Sequence, residues 1–211
     1  MSYSVSFDDV QKSLSIFSDQ MKQLEISRET LIKETREVIS LCSKAIILLH
    51  SNKISEAGTL LERSSLLIKN LKNYVIFDLD RYLWPAEQEY VEAFILKEIV
   101  DRKPILSSVE ALNVSLNAYV TGLLDCIGEI KRMIYDHLRK NNFDFSISLF
   151  EIMQSVYDLI YPFSFYDNIV PGIRKKLDVS KRIIEDVRIT MTEEYQRTAF
   201  LNQFKSISKT I

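Results

Sequence analysis

Four carboxylates in two short stretches carry the chemistry this chain could do. Glu89 and Glu92 lie in "EQEYVEAFILKEIV", residues 87 to 100, and Asp125 and Glu129 lie in "GLLDCIGEIKRM", residues 122 to 133. On a helix each pair shares a face, the first three residues apart and the second one turn apart. The first helix is apolar nearly all round. Val91, Phe94 and Ile95 fall on one side, and Ala93, Leu96 and Val100 fall on the other with Glu89 and Glu92. Polar relief comes from Lys97, Glu98 and Asp101. Such a helix is buried, and a carboxylate inside it must be paired, protonated or bound to a cation. If the two helices are antiparallel neighbours, the four carboxylates converge. Oxygen donors without His or Cys suit Mg²⁺ or Mn²⁺. These ions bind phosphate oxygens and lower the pKa of bound water, which is the chemistry of phosphodiester hydrolysis. A di-iron carboxylate bundle would use Glu-x-x-His pairs, which are absent here.

Plainer accounts compete with this one. Glu89 and Glu92 could lie on a partly wet flank paired to Lys or Arg, and Asp125, Glu129, Arg132 and Asp136 could form a solvated charge row. Gly122 and Gly128 weigh against the second account, because two of only four glycines stand inside one helix. Each costs about 1 kcal/mol relative to alanine, so their presence implies close approach of another helix or of a ligand.

The elements that position these residues are expected to be helices throughout. The 211 residues are 46% hydrophobic, enough for one core and a single domain over residues 1–211. Four Gly and four Pro are too few turn residues for a multi-stranded sheet. The first helix is expected to start near Ser6, with Asp8 and Asp9 at the positive end of its dipole, and to run to about residue 26. Arg28 to His50 reads as an amphipathic helix, with Leu31, Val38, Cys42, Ala45 and Leu49 inward and Lys33, Arg36 and Lys44 outward. A third helix follows through Ala57, Leu61 and Ile68. "NYVIFDLDRYLWP" is assigned to helix with a restart at Pro85, because one isolated strand would have no partner. Ser107-x-x-Glu110 has the form of a capping box. Residues 115 to 140 carry the stripe Leu116, Val120, Leu123, Ile127, Ile130, Ile134 and Leu138. Helix resumes from about 144 to 160 and again from Pro171, where the stripe Ile173, Leu177, Ile184, Val187, Met191 and Tyr195 is long enough to reach another subunit. Arg174, Asp178, Lys181, Glu185 and Arg188 read as a solvated, salt-bridged row on that helix.

Composition excludes several function classes. With 27 basic and 29 acidic residues the net charge is −2, so a nucleic-acid surface must be local, and the Lys33, Arg36 and Lys44 stripe with Arg28 is the candidate. Two His and two Cys poorly supply zinc sites or Ser-His and Cys-His catalysis. Cys42 and Cys126 read as buried thiols of a reducing compartment. The polar start "MSYSVSFDDVQKSL" carries no export signal, and no apolar run is long enough to span a bilayer, so a cytoplasmic protein without membrane contact is expected.

The segments "QEYVEA" (88–93), "YVTGLLDCIGEIKRM" (119–133) and "RETLIKETREVISLCSKAIILLH" (28–50) resemble the translin family, and within it the catalytic branch, translin-associated factor X. The resemblance is collinear over residues 10 to 190. It implies an all-α fold of about seven helices, a hollow octamer-like shell, and binding of single-stranded RNA or DNA. The catalytic branch is a Mg²⁺-dependent endoribonuclease. Carried across, its acidic site falls on Glu89, Glu92, Asp125 and Glu129, with Glu92 and Glu129 as direct metal ligands and Glu89 and Asp125 orienting water or completing the shell. Translin itself lacks the full set. Two departures stand out: Pro85 lies four residues before Glu89, where the family helix runs on, and the chain is shorter than eukaryotic catalytic members, which favours a homo-oligomer. The alternatives are a non-catalytic translin-like shell for single-stranded RNA or DNA, and a helical scaffold for protein partners alone.

Overall fold

The computed structural model describes residues 5–208, with side chains described through residue 201. These form seven α-helices and no strand: α1 (Asp8–His50), α2 (Ile54–Leu71), α3 (Trp84–Val100), α4 (Val109–Leu112), α5 (Leu116–Arg139), α6 (Phe143–Ile160) and α7 (Ile173–Ser208). The all-α expectation holds. No helix among the described residues is long and apolar enough to cross a membrane. α1 packs on α2 and α3, α3 lies along α5, and α5 carries α6 and α7. One continuous apolar cluster, including Leu31, Leu61, Ile95, Ile127, Leu149 and Ile173, joins them.

Residues 8 to 50 form one helix of 43 residues, without the end expected at about residue 26. "EISRET" contains no Gly or Pro, and the hydroxyls of Thr30 and Thr35 fold back onto the carbonyls of Ile26 and Leu31 at 2.9 and 2.6 Å, so nothing breaks the ladder. Burial begins at Ser27 and continues at Leu31, Thr35, Val38, Cys42, Ala45 and Leu49, which is helical spacing. The helix starts near Ser6 as expected, but Phe7 is its N-cap and no side chain caps it; the Ser6 hydroxyl accepts from the Asp8 N–H at 3.4 Å.

The stretch before Pro85 differs from expectation. It forms 3₁₀ turns at Lys72–Tyr74 and Leu79–Tyr82 rather than α-helix. Phe77, at φ 51°, lies in the left-handed region, which no continuous right-handed helix tolerates. Helix restarts at Trp84, with Pro85 in its first turn, where the missing N–H leaves no bond unmade. Pro85 therefore begins α3 without distorting it, and Glu89 follows in the second turn.

Glu98 is another correction. It is 7% exposed and accepts from the N–H and the hydroxyl of Ser107, both at 2.8 Å, instead of giving polar relief. Ser108 is the residue that caps α4, accepting from Ala111 N–H at 3.3 Å. Glu87, 2% exposed, accepts from Ser115 N–H at 2.9 Å beside Lys72 at 3.5 Å. These two glutamates clamp the loop between α3 and α5 and have no part in the acidic site. α7 begins two residues after Pro171, because Gly172 adopts φ +84° between them. Its row Arg174, Asp178, Lys181, Glu185 and Arg188 is exposed, as expected.

The two helical glycines separate cleanly. A Cβ on Gly122 would lie 2.6 Å from the Gln88 carbonyl oxygen and 2.8 Å from Val91 Cβ, so α3 approaches α5 there as only glycine allows. A Cβ on Gly128 would meet nothing within 4 Å. Gly122→Ala is expected to destabilise by about 1–3 kcal/mol through overpacking. Gly128→Ala should gain up to about 1 kcal/mol of helix propensity. Urea denaturation of both variants checks the opposite signs.

Candidate functional site

α3 and α5 run side by side, and three of their four carboxylates line one cavity beneath α7. Glu89, Glu92 and Asp125 line one cavity of about 620 Å³, together with Gly128, Lys175 and Lys176. The Gly122 contact fixes how closely the two helices approach, which places α3 residues 89 and 92 against α5 residue 125.

The electrostatics of the three differ. Burial pushes the Glu92 carboxyl up to about 8, and neighbouring Asp125, Glu89 and Glu129 add to the effect. Burial also raises Glu89, reinforced by Asp125, while Lys176 opposes the shift. Neither Glu89 nor Glu92 has a hydrogen bond or ion pair among the described residues. Asp125 is held on both oxygens, by the Lys176 ammonium on Oδ1 and by Gln88 Nε2 on Oδ2 at 2.7 Å.

Glu129 does not line this cavity. Its Oε2 lies 2.5 Å from His50 Nε2 and 3.8 Å from Arg132. The hydrogen bond from His50 holds the Glu129 carboxyl below its usual range, against the opposing effect of burial. The His50 side chain is 6% exposed, and its Nδ1 has no hydrogen-bond partner, with Asp136 Oδ2 at 3.9 Å. His50 and Gly128 border a second cavity of about 950 Å³ with Lys131, Arg132, Tyr135 and Arg139.

The donor set fits a hard divalent cation in chemistry: carboxylate oxygens, two of the carboxylates without a hydrogen bond or ion pair among the described residues and both pushed toward protonation first by burial and then by their negative neighbours. It is not drawn together as a chelate. Among the described residues no three His, Cys, Asp or Glu side chains form a ready metal cluster. Lys176 engages Asp125 and His50 engages Glu129, so two of the four carboxylates are committed elsewhere.

The basic stripe is only partly as read. Lys33, Arg36 and Lys44 are exposed on α1, and Lys33 approaches only the neighbouring Glu34 at 3.7 Å. Arg28 behaves differently. Its guanidinium donates to the Tyr82 hydroxyl at 3.2 Å and to Glu25 at 3.0 Å, pinning the 3₁₀ turn to α1.

The translin family model matches residues 26–188, a span that includes all four carboxylates. The chain belongs to the translin family. An uncharacterized protein of Methanocaldococcus jannaschii is 31% identical over 160 residues, covering 75% of this chain and 72% of that protein. The AfC3PO–duplex RNA complex superposes with a TM-score of 0.77 at 27% identity, over 90% of this chain and 99% of that one. The AfC3PO crystal structure gives 0.77 at 28% identity, over 88% and 98%. Apo-NeC3PO gives 0.71 at 22% identity, over 92% and 100%, a likeness of fold.

Three residues passed over in the sequence complete the site of this translin-family chain: Gln88, His50 and Lys176. Gln88 adjoins Glu89 and could have been found as an amide beside the acidic motif. Lys176 lies 51 residues from Asp125 in a helix whose charges read as a solvated row. His50 lies 79 residues from Glu129. No local pattern marks either contact.

Proposed function

We propose that this chain is a metal-dependent endoribonuclease of the translin-associated factor X branch, acting on RNA with Mg²⁺ or Mn²⁺. One observation carries the reading: Glu89, Glu92 and Asp125 share one open cavity, and among the described residues the first two have no hydrogen bond or ion pair. A divalent ion bound there supplies charge stabilisation for a phosphodiester and a more acidic water. Glu92 is the assigned direct ligand from this cavity, with Glu89 and Asp125 completing the shell; Glu129, the second ligand expected from the family motif, would join it only on leaving His50. Lys175 and Lys176 on the cavity wall favour approach of a phosphate to an otherwise acidic surface.

RNA as ligand is supported by the similar AfC3PO fold, whose complex holds duplex RNA. Single-stranded RNA or DNA is the ligand implied by the family motifs, so both strand forms belong in the test. A homo-oligomer, in the family an octamer-like shell, is supported by Val10, Leu14, Phe17 and Met21, an exposed apolar row on α1. The non-catalytic reading rests on the two committed carboxylates, Asp125 and Glu129. Cleavage of labelled single-stranded and duplex RNA, with Mg²⁺, with Mn²⁺ and with chelator, decides between the two. Cleavage that chelator stops is expected, and binding without cleavage under every condition selects the shell without catalysis.

Lys33, Arg36 and Lys44 are assigned to the nucleic acid, while Arg28, the fourth residue expected in the patch, is engaged by Tyr82 and Glu25. Replacing the three with alanine should weaken RNA binding and flatten its salt dependence, since each single-strand phosphate contact contributes a slope of about 0.7. An unchanged slope removes the stripe from the interface.

A further inference from the structure

We propose that Lys176 is a built-in competitor for the divalent ion, a positioning residue whose ammonium occupies Asp125 Oδ1 beside Glu89 and Glu92 until a cation displaces it. The inference rests on the metal-site reading above. Lys176 reaches the cavity from α7, whereas the carboxylates come from α3 and α5. Its ammonium bonds Asp125 Oδ1 and is the protein cation that partly offsets the negative cluster at Glu89 and Glu92. Its side chain is 29% exposed, so the ammonium can leave toward solvent on its flexible stem. Gln88 would keep its hold on Oδ2 at 2.7 Å while Oδ1 is freed.

The arrangement explains why a carboxylate-rich cavity does not form a ready chelate. One positive charge already sits among the ligands, and a doubly charged ion entering beside it meets repulsion. Displacement costs the Lys176 bond and returns the ammonium to water. α7 thereby sets how much free divalent ion the site requires. It also couples occupancy of the cavity to the seating of α7 on α5 at this point.

The test measures Mn²⁺ affinity at pH 8 by the electron paramagnetic resonance of free Mn²⁺, with no RNA present. Lys176→Gln removes the charge and is expected to tighten Mn²⁺ binding at least tenfold, and Lys176→Met should do the same. Lys176→Arg keeps the charge and should bind within twofold of wild type. Glu92→Gln placed on the Lys176→Gln background should take the gain back, locating the ion in this cavity. Lys181→Gln, an exposed charge on α7 outside this cavity, should change little. If wild type binds Mn²⁺ through Glu92 but Lys176→Gln binds no more tightly, the competition is wrong and the metal-site reading stands. If Lys176→Arg tightens binding as much as Lys176→Gln, packing rather than charge is responsible and the competition is again wrong. If neither wild type nor any Lys176 variant binds Mn²⁺, both readings fall together.

Discussion

Glu92→Gln is expected to abolish metal-dependent RNA cleavage and to raise the melting temperature at pH 8. The two effects come from one cause. Glu92 is mostly buried, has no hydrogen bond or ion pair among the described residues, and faces three other carboxylates, which together outweigh Lys176 and push it up to about 8 from the usual 4.5. A carboxyl raised by folding destabilises the native state as pH increases. The unfolded chain ionises near the ordinary value, and the folded chain holds its proton until about pH 8, so stability falls across that window. Glutamine removes the charge at nearly constant volume, so the variant should lose this pH dependence and melt about 3 °C or more higher at pH 8. The same charge is what a divalent cation requires. Cleavage should therefore fall by at least about 100-fold, equivalent to roughly 2.7 kcal/mol of transition-state stabilisation. Added Mg²⁺ should stabilise wild type increasingly with pH and leave Glu92→Gln unmoved. A Glu92→Gln protein that is destabilised at pH 8 and still cleaves RNA would show that the side chain is paired and structural.

The fold was more legible than the site, for a physical reason. Helical periodicity reports each element's own buried face, and it placed Leu31, Val38, Ile127, Ile130 and Leu177 in the core. Scarce Gly and Pro excluded a sheet, and Gly122 correctly marked a close helix approach. Spacing also selected the α3 and α5 carboxylates, because both pairs lie on single helical faces. What spacing cannot report is which distant side chain answers each acid. Lys176 and His50 reach Asp125 and Glu129 from α7 and α1, and their choice of partner depends on the packing of four helices. The same limit hid Glu98, whose partner Ser107 lies in a loop that its own bonds to Glu98 help to order. Phe77 shows a third limit: one left-handed residue stops a helix, and no side-chain pattern announced it.

Glu129→Gln should abolish cleavage and lower stability, which sets it apart from Glu92→Gln. Glu129 is bonded to His50 at 2.5 Å and held below its usual pKa range chiefly by that bond. A carboxyl lowered by folding contributes stability above its unfolded value of 4.5, and that contribution is lost as pH falls through the lower folded value. The glutamine variant should therefore lose stability at pH 7 and show weaker acid denaturation. The loss should be about 1–3 kcal/mol, the range for a hydrogen bond to a charged group. Stability alone cannot assign the residue, because a purely structural pair predicts the same loss. His50→Gln separates the roles: it gives up the imidazole hydrogen bond but leaves the Glu129 carboxylate free to serve the α3–α5 cavity. If Glu129 acts in cleavage, His50→Gln should be destabilised to a similar extent yet retain activity and Mn²⁺ binding, whereas Glu129→Gln loses both. Melting temperature, oligomer size, Mn²⁺ binding and cleavage measured on one preparation of each variant decide the matter. A folded, assembled Glu129→Gln protein with full nuclease activity would confine this residue to its bond with His50 and leave Glu89, Glu92 and Asp125 as the acidic site.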